Sequence, residues 1–459
     1  MSLAEVAEAV GGEPAAADGT VTGRVTADSR TVAPGDLFVA LPGERVDGHD
    51  FLPAAAAAGA VAALATRPDG ALPCVVVDDP VAALGRLAAA VHARLAAGGL
   101  TTLGITGSSG KTSTKDLLGQ VLASAGATVS PPGSYNNEIG LPLTVLDADA
   151  GTRFLVLEMG SRGRGHIARL CRVARPDVGV VLNVGSAHLG EFGSADGIAV
   201  AKGELVEALP ESGTAVLNAD DPRVVGMAPR TRARVLTTGR AGGADVRAED
   251  VALDDTGRAA FTLVTGGSRA PVRLRVVGEH QVANALSAAG AALAAGMAPD
   301  AVAAALSAAE PRSRWRMEVT RREDGVTVVN DAYNANPESM RAALAALAGL
   351  PARRRVAVLG AMAELGPGAA GEHERLGRDA VAAGVDLVVA VGADAVGIAA
   401  GAAAAGATPA RAVRVPDRAA ARELLTEVLV PGDVVLVKAS RSYGLELLAA
   451  DLLAAGAGA

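Results

Sequence analysis

Aromatic residues are nearly missing from this chain of 459 residues: five Phe, three Tyr and one Trp, 2% in all. Stacking platforms for single-stranded nucleic acid therefore have few candidates, and aliphatic side chains and Ala must fill the core. Cysteine is as scarce. Cys74 and Cys171 stand alone and no Cys-x-x-Cys occurs, so there is no disulfide framework. Both are expected to be small buried hydrophobes in a reducing compartment. An excess of positive charge is lacking too: 42 Lys and Arg against 50 Asp and Glu give a formal net charge of −8. That excludes bulk binding to nucleic acid or anionic lipid. The opening stretch MSLAEVAEAVGGEP has no basic leader or cleavage site. The longest weakly charged stretch, 387–411, is mostly Ala and Gly around Asp394. It reads as a strand, a turn and an Ala-rich helix, not a membrane span. A soluble, cytoplasmic chain is expected, and a monomer.

What is present is half apolar and only 20% charged, which is a globular composition. The length calls for roughly two to four domains. Residues 1–98 mix short strand-like runs, LFVAL at 37–41 and CVVV at 74–77, with Ala-rich helices. Residues 99–310 open on the strand TTLGIT (101–106). A helix follows with Leu117, Leu118, Val121 and Leu122 at helical spacing. Apolar runs at 154–157, 178–182 and 214–217 alternate with helices, which predicts a parallel sheet. Residues 245–277 show short alternating runs and are predicted to form an antiparallel insertion. Residues 311–459 again alternate, with strands expected at 326–329, 355–359, 387–391 and 434–437, as in a small Rossmann-like domain. The expected fold is α/β in three domains, and no repeat of roughly 20–50 residues appears.

The sharpest local signal is GITGSSGKTST (104–114), a Gly-rich turn between a strand and a helix. Gly107 and Gly110 let the backbone approach phosphate oxygens. The helix start adds N–H groups and a favourable dipole. Thr106, Ser108, Ser109 and Ser113 complete the loop. Lys111 can reach the β- and γ-phosphates, and Thr112 can take a Mg²⁺ position. The strict phosphate-loop spacing wants Gly at 105, where Ile stands. Glu158 closes the strand FLVLE, His188 lies in NVGSAHLGEFG (183–193), and Lys202 sits in IAVAKGE (198–204). Alone, these are a solvated Glu, a polar His and a surface Lys, and Asn218-Ala-Asp-Asp221 is a turn. Their joint order along one parallel sheet points to a nucleotide site. GRGHIA (163–168) spells a dinucleotide fingerprint, but no acidic residue follows a second strand about 20 residues on. It is set aside.

That order resembles the Mur ligases, a family that includes folylpolyglutamate synthase. Their phosphate loop is a Thr-Gly-x-x-Gly-Lys-Thr/Ser variant, which Thr106 to Thr112 match. The resemblance implies an ATP-dependent amide ligase. A substrate carboxylate takes the ATP γ-phosphoryl group, and an amine then displaces phosphate from the acyl phosphate. It implies that Thr112 and Glu158 hold Mg²⁺, with His188 and a carbamylated Lys202 on a second ion. Gly278-Glu-His280 with Asn284 matches an adenine-contacting segment, and Arg316 matches an Arg reaching the nucleotide from the third domain. Asp331 is expected at the ribose.

The segments around Asp28-Ser29-Arg30, Pro34–Phe38 and Asp47–Phe51 resemble a UDP-sugar domain, with Ser29 and Arg30 on the substrate. YNNEIGLPLT (135–144), with Asn136 and Asn137, and NDAYNANPESM (330–340), with Asn334 and Asn336, resemble the MurF type. GAMAELG (360–366) and KASR (438–441) agree. That type implies two substrates, UDP-N-acetylmuramoyl-tripeptide and D-alanyl-D-alanine, and a place in peptidoglycan synthesis and hence in cell shape and division. Asn334 and Asn336 could equally be turn residues before Pro337. A MurE-type ligase, folylpolyglutamate synthase or a non-ligating phosphate-loop ATPase are the alternatives. One departure stands out. The last motif usually reads Lys-Gly-Ser-Arg, and Ala439 would be strained if that position needs φ > 0.

Overall fold

The computed structural model describes residues 1–14, 19–43, 46–185, 189–409 and 411–455. Three sheets organise them. The first has five strands, in the order Glu13–Pro14, Cys74–Val76, Ala62–Ala65, Leu37–Val39, Val25–Thr26; all pairs are parallel except the first. Ala62–Ala65 has no strand-forming side chains. It is a strand because both its faces are buried and both its edges are paired. The helix Pro80–Ala97 covers this sheet. Asp79 caps it by accepting from Val81 N at 2.8 Å, and Leu84 and Leu87 turn inward.

The second sheet positions the site. Its nine strands run Ser268–Val277, Arg258–Thr265, Val246–Leu253, Arg234–Gly239, Thr214–Asn218, Val178–Val181, Thr101–Thr106, Phe154–Glu158, Thr128–Val129. From Thr128 to Val246 the pairs are parallel; the last two are antiparallel. The chain leaves Thr101–Thr106 toward one edge and later returns to build toward the other. The order therefore reverses beside this strand, and ligands gather at the carboxyl ends of strands at such a point. The antiparallel ribbon predicted at 245–277 forms, and it is built onto the central sheet. Val246 pairs with Thr238, so the ribbon continues the central sheet. The helices Lys111–Ala123 and Gln281–Ala294 cover one face through Leu117, Leu118, Val121, Val282 and Leu286. A Cβ on Gly290 would sit 2.6 Å from Thr238 Cγ2, so only glycine allows that helix so close to the sheet.

The third sheet runs Glu318–Arg321, Thr327–Asn330, Asp433–Lys438, Arg354–Gly360, Leu387–Val391, Ala412–Val415, parallel except at its exposed first strand. The stretch 387–411 forms the expected strand and then the helix Val396–Ala404. No helix among the described residues is long and apolar enough to cross a membrane. Both cysteines are buried and free. Ala439 is buried and is not among the residues with positive φ, so the anticipated strain does not arise. Its methyl group instead sets a steric limit: a Cβ on Gly360 would lie 2.6 Å from it.

Candidate active site

The strand Thr101–Thr106 delivers the Gly-rich turn to the switch point. Gly110 adopts φ 80 and starts the helix Lys111–Ala123. A side chain there would meet Asn284 Oδ1 at 2.4 Å, and one on Gly107 would meet Leu182 Cβ at 2.8 Å. As N-cap, Gly110 brings no side-chain acceptor, so none competes with an anion for the first-turn N–H groups. Asn183 holds the loop from the neighbouring strand end. Its backbone O accepts from Ser108 N at 3.1 Å, its Oδ1 accepts from Ser109 N at 2.9 Å, and its Nδ2 donates to Ser109 O at 3.2 Å. Ser108 Oγ accepts from Gly185 N at 2.9 Å. Lys111 Nζ donates to Gly107 O at 2.8 Å. Burial holds the Lys111 amine below the usual lysine range, against the pull of Glu158.

Glu158 organises the opposite wall. Its Oε2 accepts from Thr112 Oγ1 at 2.8 Å, and its Oε1 from Ser134 Oγ and Asn136 Nδ2, both at 2.7 Å. Arg316 crosses from the third region. It donates to Thr112 Oγ1 at 2.9 Å and lies 4.0 Å over the Tyr333 ring. Its buried Nε has no partner among the described residues. A hydroxyl beside a carboxylate is the hard oxygen pair that suits Mg²⁺, which keeps waters and phosphate oxygens as its other ligands. Among the described residues no group of three His, Cys, Asp or Glu gathers as a metal cage.

Lys202 is not the surface lysine that its local sequence suggests. It lies buried on the inner face of the helix Ala195–Glu207, bordering the cleft with Lys111. It makes no hydrogen bond or ion pair among the described residues. Burial, and then the neighbouring Lys111, push its amine well below the usual lysine range. His188 lies outside the described residues. Glu204, two residues after Lys202, accepts from Gly165 N at 2.6 Å and Ala168 N at 3.0 Å. The glycine fingerprint at 163–168 is therefore a helix start capped by a protein carboxylate. In the Asn-Ala-Asp-Asp turn, Asn218 Nδ2 donates to Leu182 O at 2.7 Å and Asp221 Oδ2 accepts from Val184 N at 2.8 Å.

The third region closes the cleft. Lys438 pairs with Asp331 at 2.6 Å and donates to Asn334 O at 2.8 Å. Burial lowers the Lys438 amine although Asp331 opposes the shift. Asn284 accepts from Thr114 Oγ1 at 3.3 Å. Asn336 caps the helix Pro337–Gly349 and donates to Ser108 O at 3.2 Å, so it fastens the two regions together. Asn137 Oδ1 accepts from Gly140 N at 2.8 Å, at the start of the helix Gly140–Leu146. Asn334 stays exposed. Two chambers result. One, of ≈ 260 Å³, is bordered by residues 108–113, Asn284, Arg316 and Asp331. The other, of ≈ 520 Å³, runs from Lys111 and Lys202 to Asn334 and Arg441. Ser29 and Arg30 line neither. They border an open pocket in the first region with Phe38, Leu41 and Phe51, where Arg30 pairs with Asp28 at 2.7 Å.

Three family descriptions match: Mur ligase family, catalytic domain, over residues 23–92; Mur ligase middle domain over 105–292; and Mur ligase, glutamate ligase domain, over 315–441. The UDP-N-acetylmuramoyl-tripeptide–D-alanyl-D-alanine ligase of Mycobacterium tuberculosis is 51% identical over 500 aligned residues, covering 99% of this chain and 98% of the relative. The Escherichia coli ligase of the same name is 38% identical, covering 85% and 86%. Among solved structures, MurF from Acinetobacter baumannii superposes with a TM-score of 0.89 at 32% identity, covering 99% and 98%. MurF from Thermotoga maritima in complex with ADP gives 0.80 at 33% identity, covering 94% and 98%.

Proposed function

The chain belongs to the Mur ligase family, and we propose that it joins D-alanyl-D-alanine to UDP-N-acetylmuramoyl-tripeptide with ATP, through an acyl phosphate. One observation carries this reading. A phosphate loop, a carboxylate–hydroxyl pair and an arginine from another region converge on Thr112, and a second chamber opens beside Lys111. A simple hydrolase needs only a water beside its nucleotide. A ligase needs room for two further substrates.

ATP binds with its β- and γ-phosphates on residues 107–112 and its adenine near Asn284, while Asp331 serves the ribose side. Lys111 and Arg316 offset negative charge as the γ-phosphoryl group passes to the peptide carboxylate. The carboxylate gains a leaving group, and the dipeptide amine then expels phosphate as the amide forms. Thr112 and Glu158 would hold Mg²⁺, which when bound neutralises phosphate charge. Lys202 has a buried amine with its protonated form disfavoured. A neutral amine can add CO₂ and lose a proton to give a carbamate, an anion suited to a second Mg²⁺; His188 is assigned there by the resemblance. Ser29 and Arg30 take the UDP-sugar end, Asn136 and Asn137 the peptide, and Asn334 and Asn336 the dipeptide side. The boundaries 1–98, 99–310 and 311–459 divide these tasks, in a cytoplasmic monomer.

Mass spectrometry of the product formed from UDP-muramoyl tripeptide, D-alanyl-D-alanine and ATP with Mg²⁺ tests the reading. The mass of the pentapeptide nucleotide is expected. Full-rate phosphate release without the dipeptide, and no such product, would favour the ATPase instead.

A further inference from the structure

The second chamber has one cation from the third region among its described lining residues, Arg441, and its surroundings are built to present it. The guanidinium lies 4.2 Å over the ring of Trp315, the only tryptophan of the chain. It pairs at 2.5 Å with Glu446, a carboxylate almost fully buried at the start of the helix Leu445–Ala455. Trp315 is itself held at φ 60, a backbone conformation uncommon outside glycine. One guanidinium face is thus fixed by an aromatic ring and one N–H by a buried anion. The side chain is still half exposed on the chamber side. A guanidinium carries five N–H donors in a rigid fork, so an edge remains for a second carboxylate.

The chamber's other cations have different places. Lys111 belongs to the phosphate loop, and Lys202 sits behind it. Arg162 and His166 follow Glu158 on the central wall, with His166 Nδ1 3.3 Å from Arg162 N. On the ligase reading the acyl phosphate forms beside Lys111, which leaves the facing third-region lining, Asn334 and residues 440–442, to the amine nucleophile. D-alanyl-D-alanine offers one permanent charge that the reaction leaves unchanged, its terminal carboxylate. We propose that Arg441 is the specificity-determining anchor for that carboxylate, oriented for the task by Trp315 and Glu446. The assignment rests on the ligase reading above.

The test compares D-alanyl-D-alanine with its C-terminal amide on the full chain, in wild type and in Arg441→Gln and Arg441→Lys. Wild type should show a KM about 10- to 100-fold higher for the amide, the size of a charge-assisted hydrogen bond. In Arg441→Gln the KM for the acid should rise by that factor and the KM for the amide should not. The KM values for ATP and the UDP-tripeptide should hold. Arg441→Lys should recover part of the acid preference, which a purely structural role would not predict. Wild-type Trp315 emission should respond to the acid and much less to the amide, a readout independent of whether the variants fold. A wild type indifferent to the amide, or an Arg441→Gln enzyme keeping the wild-type acid preference, overturns the anchor while product still forms. Absence of product from wild type overturns the ligase reading instead.

Discussion

The chain offers two binding surfaces of opposite construction. Around the phosphate loop the polar groups are buried or half-buried and tied to side chains far along the chain: Thr112 to Glu158 and Arg316, Ser109 to Asn183, Ser108 to Asn336. In the first region, Arg30 is 86% exposed and its partner Asp28 stands two residues away. That neighbour holds the Asp28 carboxyl down to about 2, so the pair stays charged through the neutral range. The lesson is one of preorganisation. Groups that meet a developing charge are fixed before it appears, because reorganising them during the reaction would raise the barrier. Groups that grip a distant handle of the substrate need only be available.

The difference can be broken or sharpened by substitution. The largest effect is expected from Lys111→Ala, which should lower turnover by about 10²–10³-fold with the fold intact, since a fixed electrostatic stabiliser is lost. Steady-state phosphate release reads it; a modest loss would mean that the loop does not hold the transferring group. Lys202→Ala should also abolish most activity and regain part of it with formate or acetate. The wild type carries the matching pH signature. Acid protonates the Lys202 amine, and an ammonium cannot add CO₂, so removing CO₂ should cost more activity at a lower pH than at a higher one. Equal losses at both pH values would remove the carbamate.

Asn183→Ala should be milder. Three side-chain hydrogen bonds to the loop disappear, destabilising the fold by about 1–3 kcal/mol and raising the KM for ATP; thermal melts and initial rates read both. The smallest effect belongs to Arg30→Ala. The thermal midpoint should stay where it is, and only the KM for the UDP-substrate should rise, less so in high salt because an exposed charge is screened. A large drop in midpoint would show that the first pocket is as rigid as the cleft, and the contrast would fail.

Much of the architecture was legible in the linear chain. Val-rich runs such as 178–182 and 434–437 became central strands because β-branched side chains fill a surface covered on both faces. Strands at 62–65, 128–129, 318–321 and 412–415 carried no comparable pattern. They are Ala-rich, short or at edges, and pairing makes them. Lys202 did carry a signal that local reading passed over: it follows Ile198 by four residues and precedes Leu205 and Val206, on an apolar helix face. Asn183 carried none, because its partner Ser109 is 74 residues away.

Residue order and type thus suffice for the glycine turn, the strand-end Glu158 and the alternation that builds parallel sheets, since those follow from local sterics and periodic burial. Which carboxylate meets Thr112, whether Lys202 is wet or dry, and that Arg316 reaches across from another sheet are matters of packing. A side chain's charge state and partners depend on the solvent excluded around it, and the groups that exclude it come from places distant along the chain.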